Sequence, residues 1–142
     1  MVAKRHIHIT PEDAEKYGLK DKIEFLGGLN AERMKAEYLK ANVFVLPSTI
    51  ENSPNSLAEA MLLGVPCVSA YVGGVPNLMV HEKEGFLYQP SAAYMLAHYI
   101  RVMFENPECA EKMGDAAAAH AVKTHDPEKN VQDLMQIYRN LA

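Results

Sequence analysis

Two glutamates, Glu51 and Glu59, are separated by seven residues across a polar, turn-rich stretch that runs into a helical pattern. Each carboxylate can accept several hydrogen bonds, so a pair of them beside a crevice suits a ligand with vicinal hydroxyls. Between them, Asn55, Ser56 and Leu57 stand where a helix should begin. The unpaired N–H groups and positive dipole end of a helix start suit a phosphate or diphosphate. Further on, Gly73-Gly74 would let main chain come close to whatever is bound.

Each feature also has a plainer reading. Ser56-x-x-Glu59 matches a capping box, in which Glu59 would serve only its own helix start. Glu51, beside Asn52-Ser53-Pro54, reads as a solvated loop acid, and Gly64, Gly73 and Gly74 as turn residues. His6-x-His8 would place two imidazoles on one strand face, but no third ligand accompanies them, and the reading is a tail without metal. His81, His98, His120 and His125 belong to no motif. Cys67 and Cys109, 42 positions apart, suggest neither a disulfide framework nor a zinc site, and Cys67 reads as a small core residue.

The elements that must hold these residues follow from composition and pattern. A chain of 142 residues, 49% hydrophobic and 23% charged, suits one globular domain, residues 1–142, with a proper core. A net charge of −4 without a basic stripe argues against nucleic acid as partner. No apolar run reaches membrane-spanning length and no signal-peptide core is present, so a cytoplasmic setting is expected, with peripheral membrane contact left open.

Short apolar runs alternate with helical patterns, which is the α/β signature. Thr10-Pro11-Glu12-Asp13 predicts a capped helix ending at Gly18. Residues 22–26 (KIEFL) read as a strand, and a helix over about 30–40 should put Met34, Tyr38 and Leu39 on one face. Residues 42–46 (NVFVL) read as a strand buried on both faces. The polar stretch 49–56 follows it, at the carboxyl end where open parallel sheets place ligands.

A helix over 57–63 closes at Gly64. Residues 66–70 (PCVSA) and 85–88 (GFLY) give two more strands, with a short helix over about 75–80 between them. From Ser91 the pattern is helical over about 91–141, and the last helix, about 128–140, carries one apolar stripe.

In order, Pro47-Ser48, Glu51, Glu59-Ala60-Met61, Gly64, Pro66, Gly73-Gly74 and Pro76 resemble the E-x7-E segment of the family-4 (group 1) retaining glycosyltransferases. The likeness extends more weakly to residues 25–29 (FLGGL), to ANVFVLPS and to residues 85–90 (GFLYQP). It implies an α/β, Rossmann-like parallel sheet with flanking helices, part of the donor-binding half of a two-domain GT-B enzyme. It also implies transfer of a sugar from a nucleotide-sugar donor to a glycan, lipid-linked sugar or similar acceptor with retention.

By that resemblance Glu51 orients the donor sugar and Glu59 holds the ribose. Amides near Asn55, Ser56 and Leu57 face phosphate and sugar, Gly73 and Gly74 lie against the donor, and neither metal nor other cofactor is needed. Asn77 stands where the family usually has glutamate, and NSPNSLA lacks the more common Phe-Gly pair. The family's N-terminal acceptor domain and its G-R-x-x-x-x-K-G loop are not in this sequence. The family's sheet order would set two further strands between 22–26 and 42–46, a gap that residues 5–9 (RHIHI) fill in part, or another chain fills, or that is avoided by a different pairing of those two strands, so a tendency to self-associate is expected. The alternative is a non-catalytic nucleotide-sugar-binding or protein-interaction module; a nucleotide-sugar epimerase or phosphorylase half shares the architecture but not this E-x7-E context.

Overall fold

The capping signals at the start of the chain are realised in full. In the computed structural model, which describes residues 10–141, Thr10 accepts from the Asp13 N–H at 3.2 Å while the Asp13 carboxylate accepts from the Thr10 N–H at 3.1 Å. This closed box, with Pro11 in the first turn, opens α1 (Pro11–Lys16). A single 3-10 turn follows at Lys20–Lys22.

The strand expected over 22–26 is not formed: residues 23–27 have no regular structure, and Phe25 and Leu26 are exposed. A strand exists only where a neighbouring backbone completes its ladder, and none of the described residues does so for this segment. Residues 5–9, like His6 and His8, lie outside the described residues. The chain divides into two compact units, Met1–Met34 and Lys35–Ala142, with the boundary inside α2 (Ala31–Lys40). Asn30 caps α2 by accepting from the Arg33 N–H at 2.9 Å. Of the three residues expected on its apolar face only Tyr38 is buried; Met34 and Leu39 are exposed.

The second unit carries the sheet. Strands β1 (Phe44–Leu46), β2 (Cys67–Ala70) and β3 (Phe86–Tyr88) lie in that order and all run parallel. The crossovers are α3 (Asn55–Leu62), between β1 and β2, and the short α4 (Val75–Leu78), between β2 and β3. Side chains alternate across a sheet, so Cys67 and Leu87 join one apolar cluster, with Leu57, Met61, Val75 and Met79. Val68, Ala70, Phe86 and Tyr88 join the other, with Met103, Ala110 and Met113.

Central β2 is wholly buried, but β1, expected to be buried on both faces, is only half-buried. Among the described residues its one neighbour is β2, which leaves it at the edge of the described sheet. β3 lies at the other edge of the described sheet and is buried, with Tyr99 of α5 (Ala93–Glu105) stacked on Phe86 at a centroid separation of 4.5 Å.

α3 ends as anticipated at Gly64, with φ of +70°. The N–H groups of Gly64 and Val65 donate back to the Met61 and Ala60 carbonyls, the paired bonds of a Schellman ending. Beside it runs α6 (Pro107–Thr124), where Gly114 allows close contact: a Cβ there would collide with the Gly64 carbonyl. The last helix, α7 (Pro127–Leu141), buries none of its residues, and Val131, Leu134, Met135, Ile137, Tyr138 and Leu141 are all exposed.

The two cysteines differ sharply. Cys67 is fully buried, with its Sγ 3.0 Å from the Val65 carbonyl, and burial pushes its thiol from 9.0 up to about 12. Cys109 is exposed. In the native state one thiol, Cys109, should therefore react with a thiol reagent at pH 8, and Cys67 only after unfolding. The raised thiol also makes the folded state the stronger proton binder. Its contribution to stability is thus complete below pH 9 and is lost as pH climbs toward about 12. Melting temperatures should fall over that window, and less so in Cys67→Ala relative to its own neutral-pH value; two rapidly reacting native thiols would contradict this placement.

Candidate functional site

In a parallel sheet with α crossovers, the loops leaving the carboxyl ends of the strands gather at one edge, and here those are residues 47–54 after β1 and 71–74 after β2. The two loops are bound together through their backbones. The Gly74 N–H donates to the Asn52 carbonyl at 2.6 Å. Gly73, at φ of +51°, lies so close to the first loop that a Cβ on it would collide with the Glu51 carbonyl, and one on Gly74 would collide with that of Asn52. The structure therefore gives these glycines a definite partner, the backbone that carries Glu51. Glu51 itself is half-buried.

Helix α3 begins at this edge. Its N-cap is Pro54, no side chain caps it, and Ser56 occupies the second helical position. The capping box read from Ser56 and Glu59 is accordingly not formed. A proline in place of a Ser, Thr, Asp or Asn cap leaves the first helical N–H groups without a side-chain acceptor. Leu57 turns its side chain fully into the core, and its N–H donates to the Pro54 carbonyl at 3.1 Å. The amides of Asn55 and Ser56, one residue exposed and the other half-buried, stand at the open end of the helix.

Glu59 is exposed on α3, one turn further along. Its carboxylate has one neighbour that the sequence reading did not supply. The Tyr38 phenol, from α2, lies 3.4 Å from Glu59 Oε2 and donates at 3.2 Å to the Ser56 carbonyl. Burial, and after it the Glu59 carboxylate, hold this phenol above its ordinary value, so it stays protonated at neutral pH. A signal was present: the buried position of α2 holds a tyrosine, and a buried tyrosine hydroxyl needs a partner.

Among the described residues the buried acid lies elsewhere. Glu84 is 4% exposed, accepts from the Val80 N–H at 2.8 Å and sits 2.9 Å from His120 Nδ1. His81 Nδ1 accepts from the Leu87 N–H at 2.9 Å. These contacts tie down the loop that enters β3, at the amino end of the strands and away from Glu51 and Glu59. Among the described residues no three His, Cys, Asp or Glu side chains are grouped to hold a metal ion. Nor, among them, is any helix long and apolar enough to cross a membrane.

Residues 11–120 match the family model described as glycosyl transferases group 1. The chain belongs to this family. Among curated relatives, the D-inositol 3-phosphate glycosyltransferase of Streptomyces griseus is 35% identical over 108 residues, which is 76% of this chain and 23% of that protein. Among solved structures, sucrose-phosphate synthase from Thermosynechococcus elongatus superposes with a TM-score of 0.84 at 30% identity, over 90% of this chain and 32% of that one. Anabaena HepE in complex with UDP-glucose superposes equally well, at 0.84 and 25% identity, over 91% of this chain and 35% of its own. The chain thus has the Rossmann-like fold of part of a GT-B donor domain and spans about a quarter to a third of the length of these proteins.

Proposed function

We propose that this chain is the nucleotide-sugar-binding part of a cytoplasmic glycosyltransferase that moves a sugar to a glycan or lipid-linked acceptor with retention. The observation that carries this reading is the open, uncapped start of α3 between two acids at the carboxyl edge of a parallel sheet. The family match and the likeness to a protein complexed with UDP-glucose support it.

In this reading the amides of Asn55 and Ser56, with Leu57 anchoring the turn beneath them, face the diphosphate. The helix end stabilises the departing nucleoside diphosphate without a metal. Glu59 accepts from the ribose hydroxyls and Glu51 from those of the sugar. Gly73 and Gly74 hold the Glu51 loop in place and bring main chain close to the donor. The acceptor is met by an N-terminal domain of the longer enzyme, where peripheral membrane contact and self-association would also be decided.

Calorimetric titration with a panel of nucleoside diphosphates and nucleotide sugars tests the reading. One nucleotide should bind best, and Glu59→Ala should weaken it by about 10-fold or more, the size of a lost hydrogen bond to a charged group. Equal affinity of wild type and Glu59→Ala for every nucleotide would refute the role given to Glu59.

A further inference from the structure

We propose that Tyr38 is a positioning residue for the donor: its phenol holds the Glu59 carboxylate and the first turn of α3 in the arrangement that receives the ribose hydroxyls. The inference rests on the reading of Glu59 as the ribose contact and adds to it the group that orients that contact.

An exposed glutamate on a helix surface is free to change rotamer, and ordering such a side chain costs on the order of 1–2 kcal/mol. At Glu59 the geometry limits that freedom. The Tyr38 ring is only 7% exposed and stands edge-on to Phe44 of β1, with centroids 5.5 Å apart and planes at 67°. From this fixed base the hydroxyl meets two atoms of the same face of α3, the Ser56 carbonyl at 3.2 Å and Glu59 Oε2 at 3.4 Å.

Ser56 and Glu59 are three positions apart, which places them one above the other on the helix. One phenol therefore touches both the turn whose amides face the diphosphate and the acid beyond it, with a single O–H proton shared between the two acceptors. Because it remains protonated, that proton can turn from the Ser56 carbonyl to one carboxylate oxygen of Glu59, while the other oxygen keeps its lone pairs for a ligand's hydroxyls. The separation of 3.4 Å is long for such a bond, and contacts of this kind shorten when the ligand arrives. A phenylalanine would fill the same space and keep the packing on Phe44, yet the buried position holds a tyrosine.

The experiment is a double-mutant cycle in the enzyme as it occurs, with Tyr38→Phe, Glu59→Ala and both, titrated with UDP and with 2′,3′-dideoxy-UDP. Tyr38→Phe should weaken UDP about 5-fold, leave the dideoxy nucleotide unaffected and have no effect when Glu59 is already alanine. Equal loss for both nucleotides would make Tyr38 a structural residue only, and no loss for UDP would remove its role; either overturns the proposal. A Glu59→Ala variant that discriminates between the two nucleotides as strongly as wild type would instead overturn the ribose reading of Glu59 itself.

A second measurement needs no ligand. The Tyr38 phenol, followed by its 13C resonance and assigned by its absence in Tyr38→Phe, should ionise at lower pH in Glu59→Gln. An unchanged titration would show that the two side chains do not meet.

Discussion

Glu51→Ala is expected to lower turnover of the intact glycosyltransferase by roughly 100-fold or more, the scale at which loss of a positioning contact registers in catalysis. The residue is half-buried at the carboxyl edge of the sheet, and its backbone is gripped by the Gly73-Gly74 turn, so the point from which its side chain departs is set before any ligand arrives. A carboxylate that accepts from sugar hydroxyls from a fixed backbone position orients the reacting carbon with a reduced ordering cost. The change should appear mainly in kcat, with nucleoside diphosphate affinity close to wild type, because the diphosphate and ribose are assigned to α3 and Glu59. Steady-state kinetics with a varied donor, beside calorimetry with the nucleoside diphosphate alone, separate the two. Normal turnover would end the assignment of Glu51 to the sugar.

Gly73→Ala should be almost as damaging by a different route. The added methyl group would collide with the Glu51 carbonyl, and the residue sits at φ of +51°, where a Cβ is strained in any case. Backbone is the obstacle on both sides, so no side-chain rotation relieves the clash; the two loops must separate or the turn must change shape. The cost to stability is on the order of 2–3 kcal/mol. Because the loop that yields carries Glu51, a loss of activity should accompany the lower melting temperature and persist at temperatures where the variant is fully folded. A folded Gly73→Ala protein with unimpaired turnover would show that the bracket does not set the position of Glu51.

Most of the elements were legible in advance because their signals are local. The Thr10 and Asp13 side chains close on each other within one turn, Gly64 ends α3, and Cys67 to Ala70 are a run only a buried strand accommodates. Signals that depend on neighbours far along the chain misled. Residues 22–26 have the alternation of a strand but no partner among the described residues, and residues 42–46 have the composition of a doubly covered strand yet yield only β1, at the edge of the described sheet. Ser56 and Glu59 have capping-box spacing, but Pro54 starts the helix earlier and turns Glu59 toward Tyr38 instead.

By itself the sequence determined the kind of fold, the family and the short list of groups that matter, since periodicity, caps, turn residues and motif spacing act between residues a few positions apart. Tertiary structure alone decided what those groups touch. It set Gly73 and Gly74 against the backbone of Glu51 and Asn52, left the amides of Asn55 and Ser56 at an uncapped helix end, and brought the Tyr38 phenol to Glu59. Such contacts join side chains and backbones some twenty residues apart, and they exist only because β1 and β2 lie parallel with α2 and α3 packed beside them. No local pattern encodes a distance that depends on how separate elements pack.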